Sequence, residues 1–225
     1  MRTVKPTYEI LTPISEKAIN ELKLIEKIGR VCYKSEDRIT ENGESAIKFV
    51  DMLTTKHHEA MIEHSFLSVL FTVDRGISHE FVRHRLASFA QESTRYCNYT
   101  KDKFGGEITI IDITGAYKYD NKMSNLDEQT IMEITGEWVR AMEDAEKHYM
   151  RMIELGASPQ IARSVLPNST KTNIVITANY REWRNIFKLR TTPAAHPQMR
   201  EIMNELLVDL KNQIPVIFDD IEVNV

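Results

Sequence analysis

Apolar residues recur at helical spacing over residues 15–32, where Ala18, Ile19, Leu22, Ile25 and Ile28 share one side. Ser15 followed by Glu16 suits the opening turn of that helix. A polar break over 35–43 separates it from a second helix expected at about 45–55. The period then changes. The stretch 65–73, rich in β-branched and aromatic residues, predicts a strand, and Asp74-Arg75-Gly76 predicts a turn into a helix over about 78–86. Further strands are expected at 107–113 and 172–178. Helices are expected at 125–155 (closed by Gly156), 159–165, 180–189 and 198–213. Helices and strands are mixed without strict βαβ alternation, and no internal repeat occurs. The pattern predicts an α+β fold.

Composition narrows the class of protein. The 225 residues carry a formal net charge of −4, which argues against a nucleic-acid coat, because such a protein needs a broad basic face. No apolar run reaches the length of a membrane span, and the N-terminus lacks a signal-peptide core. Two cysteines, Cys32 and Cys97, cannot form a disulfide framework. The expectation is a cytoplasmic protein with no membrane and no nucleic-acid partner.

Against that acidic background the run 83–96 stands out, with Arg83, His84, Arg85 and Arg95 beside Gln91, Ser93 and Thr94. Arginine forks match phosphate with two parallel hydrogen bonds, so the run suits one compact anion. On the expected helix Arg83 and Arg85 point in different directions and would serve two partners. A solvated basic helix face with ordinary salt bridges explains the same residues, and both readings stand at this point. The cluster His57-His58-Glu59-Ala60-Met61-Ile62-Glu63-His64 suggests a metal but fails the spacing rules. Ile62 occupies the second histidine position of His-Glu-x-x-His, and Ala60 the first of His-x-x-Glu-His, so no metal site is expected. A third group comprises Arg163, Asn179, Arg181, Asn185, Arg190 and His196. The dipole at a helix C-terminus accounts for Arg190 but not for Arg163, and the two regions make sense together around a shared ligand. Cys97, two residues beyond Arg95, reads as a half-buried thiol rather than a nucleophile.

These residues resemble a known family. Arg83-His84-Arg85, seven residues, then Ser93, continuing through Arg95-Tyr96, is similar to the signature of the flavin-dependent thymidylate synthases. His58-Glu59 with Glu63-His64, Ile161-Ala162-Arg163 with Leu166-Pro167, Asn179-x-Arg181, Leu189-Arg190 and Ala195-His196 resemble further family segments. The resemblance spans about 15–213 and lacks motifs only over 101–150. It implies a central, mostly antiparallel sheet flanked by helices in a single domain over residues 1–225. It also implies a homotetramer holding FAD, with sites shared between subunits. The implied reaction methylates dUMP to dTMP with 5,10-methylenetetrahydrofolate as one-carbon donor and NADPH as reductant, without a covalent cysteine nucleophile.

Site roles follow from the same resemblance. His58, Glu63, Arg83, His84, Arg85, Asn179, Arg181, Asn185 and His196 are expected on the flavin side. Glu80, Gln91, Ser93, Thr94, Arg95 and Arg163 are expected to bind the nucleotide, with Arg95 and Arg163 on its phosphate. Arg190 is expected to face the uracil carbonyl and to be catalytic. Some positions depart from the family pattern: Glu80 stands where many relatives carry Gln, Gln91 where some carry Glu, Ala60 for Thr or Ser, and Cys32 for Ser. The 191–195 stretch is two residues longer than in the shorter members. A carboxylate at Glu80 repels phosphate and should face the base or a cation.

Overall fold

The computed structural model describes residues 1–101 and 105–224. Among the described residues there are six strands: β1 (Arg2–Val4), β2 (Thr7–Ile10), β3 (Phe66–Asp74), β4 (Ala87–Gln91), β5 (Thr109–Ile111) and β6 (Lys171–Asn179). The helices are α1 (Ile19–Tyr33), α2 (Glu44–Thr55), α3 (Arg75–Phe81), α4 (Glu128–Glu154), α5 (Pro159–Ala162), α6 (Tyr180–Arg190) and α7 (Pro197–Gln213). Short 3-10 turns occur between them, including Glu59–His64 and Arg163–Val165. The fold is α+β: an antiparallel sheet of order β2-β3-β6-β4 with flanking helices, and a separate parallel pair β1-β5. Along β3 and β6 buried and half-buried side chains alternate, as the two-residue strand period requires.

The chain divides into two compact units, each assembled from separate segments. Unit 1 comprises Met1–Thr7, Phe71–Arg83 and Ala90–Ile174. There β1 pairs with β5 in the register Arg2 to Thr109 and Val4 to Ile111. Tyr99, Ile108, Ile110, Met142, Tyr149 and Ala162 form its buried cluster, and Cys97 packs against them. Helix α4 starts where the Asp127 carboxylate accepts from the Thr130 amide at 2.9 Å, a side-chain cap for an orphan N–H.

Unit 2 comprises Tyr8–Leu70, His84–Phe89 and Val175–Val225. Leu22 and Ile25 of α1, Phe49, Val50 and Leu53 of α2, and Trp183, Ile186 and Phe187 of α6 are buried. Gly29 permits the close approach of α1 to α2, because a Cβ there would lie 2.5 Å from a Phe49 ring carbon. Arg184 of α6 has no solvent exposure. Its Nε donates to Glu59 at 3.0 Å, Nη2 donates to Asp220 at 2.8 Å, and Nη1 reaches Asp220 and the Ile217 carbonyl. One guanidinium thus holds both the 59–64 turn and the C-terminal segment on α6.

The structure corrects several expectations drawn from periodicity. The first helix begins at Ile19, because Lys17 and Ala18, within the Glu16–Ala18 turn, adopt left-handed backbone angles. Helix α3 begins at Arg75 and ends at Phe81, so Arg83, His84 and Arg85 lie in a turn and not on a helix. The Asp74 carboxylate accepts from the Ile77 amide at 2.7 Å and starts the helix early. Alternation from Ala87 onward makes strand β4, next to β6 in the sheet, which leaves no length for helix to continue. Strands β1, β2 and β4 are too short for their alternation to announce them.

Removing one partner of a buried ion pair strands the others, so Arg184→Met should destabilise the protein by about 3 kcal/mol, the lower end for such losses because Asp220 is half exposed. Chemical denaturation of the variant measures this, and a loss below about 1 kcal/mol, the scale of a surface pair, contradicts it.

Candidate functional site

In unit 1 two nucleotide-side candidates, Thr94 and Arg163, meet at a cleft of about 430 Å³ lined also by Arg75, His79, Gln160, Ser164, Leu166, Pro167 and Asn168. Thr94 is buried, and its hydroxyl accepts from Arg163 Nη1 at 3.2 Å. Arg95 donates to the Gln160 carboxamide at 3.3 Å, and its guanidinium lies 5.6 Å from the Tyr96 ring centre. The Ser93 hydroxyl accepts from the Arg95 amide at 3.3 Å and shapes the loop. Gln91 donates to Ser78 at 2.8 Å and to Thr172 at 3.3 Å, so its amide is tied into the fold rather than lining the cleft. Glu80, half-buried on α3, and Arg83, exposed in the turn after it, also lie outside the cleft lining. Arg75, His79 and Gln160 were not expected here. Gln160 and Arg163, three apart, offered a helical-spacing signal; Arg75 and His79, four apart on α3, became visible only once that helix was placed.

In unit 2 a second cleft, of about 590 Å³, is lined by Glu59, Glu63, Leu86, Asn179, Arg181, Glu182, Arg184, Asn185 and Lys188. Four flavin-side candidates therefore meet: Glu63, Asn179, Arg181 and Asn185. Asn179 caps α6 by accepting from the Glu182 amide at 2.8 Å. Arg181 is held by Glu63 and lies 3.7 Å from Glu59, and those carboxylates raise its pKa. Asn185 donates to Glu182 at 3.3 Å. The other flavin-side candidates are not in this lining. His58 is exposed, with its Nδ1 3.4 Å from the Tyr33 hydroxyl. His196 caps α7, accepting from the Gln198 amide at 3.3 Å, and Arg85 is exposed in its turn. Glu59, Arg184 and Lys188 were not expected here. Arg184 lies three residues from Arg181 on the same helix, but nothing in the local pattern marks it as buried.

The tightest geometry in unit 2 surrounds His84. Arg190 Nε donates to His84 Nε2 at 2.9 Å, and the ring's other nitrogen lies 3.6 Å from Glu182. Burial, followed by the Arg190 charge, pushes the His84 pKa down to about 4. The imidazole is therefore neutral near pH 7, with its proton on Nδ1 towards Glu182, so that contact is not an ion pair. Accepting at Nε2 requires this tautomer and fixes the direction of the Arg190 guanidinium. Among the described residues no three His, Cys, Asp or Glu side chains are grouped to hold a metal, and no helix is long and apolar enough to cross a membrane.

Comparison with known proteins places the chain in a family. Residues 15–216 match the family described as thymidylate synthase complementing protein, and the chain belongs to it. The flavin-dependent thymidylate synthase of Corynebacterium aurimucosum is 31% identical over 215 residues, covering 93% of this chain and 84% of that protein. A probable flavin-dependent thymidylate synthase of Mycobacterium phage D29 is 30% identical over 200 residues, covering 88% of this chain and 83% of the relative. The fold is also that of a UMP/dUMP methylase, PolB from Streptomyces cacaoi, solved with 5-Br dUMP. Its TM-score is 0.76 at 24% identity, over 97% of this chain and 96% of that one.

His84 stays unprotonated in the fold down to about pH 4, whereas in the unfolded chain it takes up a proton from about pH 6.5. Its contribution to stability is complete above about pH 6.5 and is lost as pH falls towards 4. His84→Gln keeps an acceptor for Arg190 without a titrating group. The variant should therefore gain on the wild type in unfolding free energy as pH is lowered across that window. A difference that stays constant with pH contradicts this assignment.

Proposed function

We propose that the chain is a cytoplasmic, FAD-dependent thymidylate synthase working as one domain. It methylates dUMP to dTMP with 5,10-methylenetetrahydrofolate as one-carbon donor and NADPH as reductant. We further propose a homotetramer with sites shared between subunits. Family membership supports the class of reaction, and the names of the relatives support both flavin and nucleotide.

The observation that carries the reading is Arg190 locked on a neutral His84 at 2.9 Å. Because the imidazole is uncharged, it orients the guanidinium without cancelling its charge. A fixed cation of this kind stabilises negative charge developing on the uracil ring as C5 becomes nucleophilic. Arg163 and Thr94, with Arg95 on Gln160 beside them, form the set that would hold the nucleotide phosphate, each guanidinium offering a two-pronged fork. The half-buried Cys97 packs into the apolar cluster of unit 1, which suits a structural thiol rather than a nucleophile. Gln91 and Ser93 order the segment that bears these groups.

The residues present in unit 2 fit a flavin dinucleotide. Arg181 stays half exposed although Glu63 holds one edge, and Lys188 adds a second exposed cation for the pyrophosphate. Exposed Leu86 offers an apolar surface, and Asn185 belongs to the same lining. When bound, the flavin supplies the hydride that completes the methyl group. The remaining flavin-side candidates, His58, Arg83, Arg85 and His196, stay in the proposal as exposed groups, and half-buried Glu80 and Gln91 stay in it on the nucleotide side.

Protein supplied with FAD should form dTMP from dUMP, methylenetetrahydrofolate and NADPH. Arg190→Ala should lose at least ~10²-fold in turnover, the scale for removing one preorganised donor. Cys97→Ala should keep substantial activity. Near-normal turnover by Arg190→Ala overturns the role of that arginine. An inactive Cys97→Ala that still binds FAD and dUMP overturns the non-covalent route.

A further inference from the structure

Glu182 is buried beside two side chains whose polarity the backbone does not decide. It stands in the first turn of α6, where its amide donates to the Asn179 cap at 2.8 Å. The helix dipole favours a carboxylate at such a position. That accounts for the residue type but not for its surroundings, since Glu182 is only 6% exposed. A carboxylate shut away from water must be met by hydrogen-bond donors, or its burial is costly. Two neighbours can supply them. The Asn185 carboxamide nitrogen lies 3.3 and 3.4 Å from the two carboxylate oxygens, and His84 Nδ1 lies 3.6 Å from one of them.

Each neighbour has two alternatives of nearly the same shape. A carboxamide can present its nitrogen or its oxygen, and a neutral imidazole carries its proton on either nitrogen. Against a carboxylate the choice is forced. Only the NH2 end of Asn185 can face Glu182. Likewise a protonated Nδ1 is attracted by the anion at 3.6 Å, whereas a lone pair in its place is repelled. On the other edge of the ring Arg190 Nε, which always carries a proton, lies 2.9 Å from Nε2 and needs a lone pair there. The carboxylate and the guanidinium therefore demand the same tautomer from opposite edges of one buried ring.

We propose that Glu182 is a positioning residue: its carboxylate keeps the His84 proton on Nδ1, which holds Nε2 open as the acceptor that aims Arg190. Glu182 acts through the imidazole and needs no contact with a substrate. The tautomer stands without the methylation reading; only its consequence for turnover rests on that reading.

Nitrogen-15 NMR of histidine-labelled protein in the solid state, above neutral pH so that the ring is uncharged in every variant, reads the tautomer directly. His84 is identified by the signals lost in His84→Gln. The wild type should show a protonated Nδ1 and an unprotonated Nε2. In Arg190→Ala the proton should stay on Nδ1, because Glu182 still faces it. In Arg190→Ala/Glu182→Gln it should move in part to Nε2, because a carboxamide can accept or donate. Glu182→Gln alone should lower kcat ~10-fold, the scale of exchanging a charge-assisted hydrogen bond for a neutral one. With His84→Gln already present, the same change should alter kcat by less than about 2-fold, because the two residues act as one unit. A wild-type proton on Nε2 overturns the proposal, as does a proton that leaves Nδ1 in Arg190→Ala alone or stays there wholly in the double variant. An equal loss of kcat in both backgrounds also overturns it. Should Glu182→Gln fail to fold, the wild-type and Arg190→Ala spectra still decide. Absence of dTMP formation by the wild type overturns the methylation reading instead, and the spectra then decide the tautomer by themselves.

Discussion

A guanidinium shut away from water has to be answered by anions and carbonyl oxygens, and Arg184 imposes that demand on unit 2. Glu59, Asp220 and the Ile217 carbonyl supply the answer, so two stretches of chain far apart in sequence are bound to one point on α6. Asp220 responds in kind, its carboxyl held below the usual range chiefly by the hydrogen bond from Arg184. With Glu59 fixed there, the turn that follows it brings Glu63 to Arg181, one helical turn before Arg184. The same helix ends in Arg190. The placement of the charged groups along α6 thus depends on compensating one buried charge, and the tight packing of Trp183, Ile186 and Phe187 keeps that helix from shifting.

The two units divide the chemistry by charge environment. In unit 1 the candidate groups are arginines with neutral partners, Arg163 on Thr94 and Arg95 on Gln160, and among the described residues neither has an ion pair. In unit 2 Arg181 and Arg184 are engaged by carboxylates, and Arg190 donates to a neutral ring. The fourteen residues from Arg83 to Tyr96 pass from unit 1 into unit 2 and back again, leaving after Arg83 and returning at Ala90. His84 is thereby placed with Arg190, and Thr94 with Arg163.

Much of this was legible along the chain, and the rest was hidden for specific reasons. Helices α2, α4, α6 and α7 and strands β3 and β6 are long enough for their hydrophobic period to declare them. The turn bearing Arg83, His84 and Arg85 was not legible, because the Asp74 cap shifts α3 towards the N-terminus and β4 takes up the residues that a helix would need. Arg163 with Thr94 could be anticipated as a phosphate pair, since both residue types bind anions and both matched family segments. Arg75 and His79 could not, because their position depends on where α3 starts. Nor could the neutrality of His84, which follows from burial and from a residue 106 positions away.

The central claim is that the nucleotide phosphate belongs to the Thr94–Arg163 group and the flavin to the Glu63–Arg181 group. The direct measurement is the affinity of Arg163→Ala and Arg181→Ala for dUMP and for FAD, with dUMP titrated at saturating FAD. The account predicts that Arg163→Ala weakens dUMP binding and leaves FAD binding intact, and that Arg181→Ala weakens FAD binding while dUMP still binds once FAD is saturating. Equal loss of both ligands in both variants, or no loss in either, would contradict it.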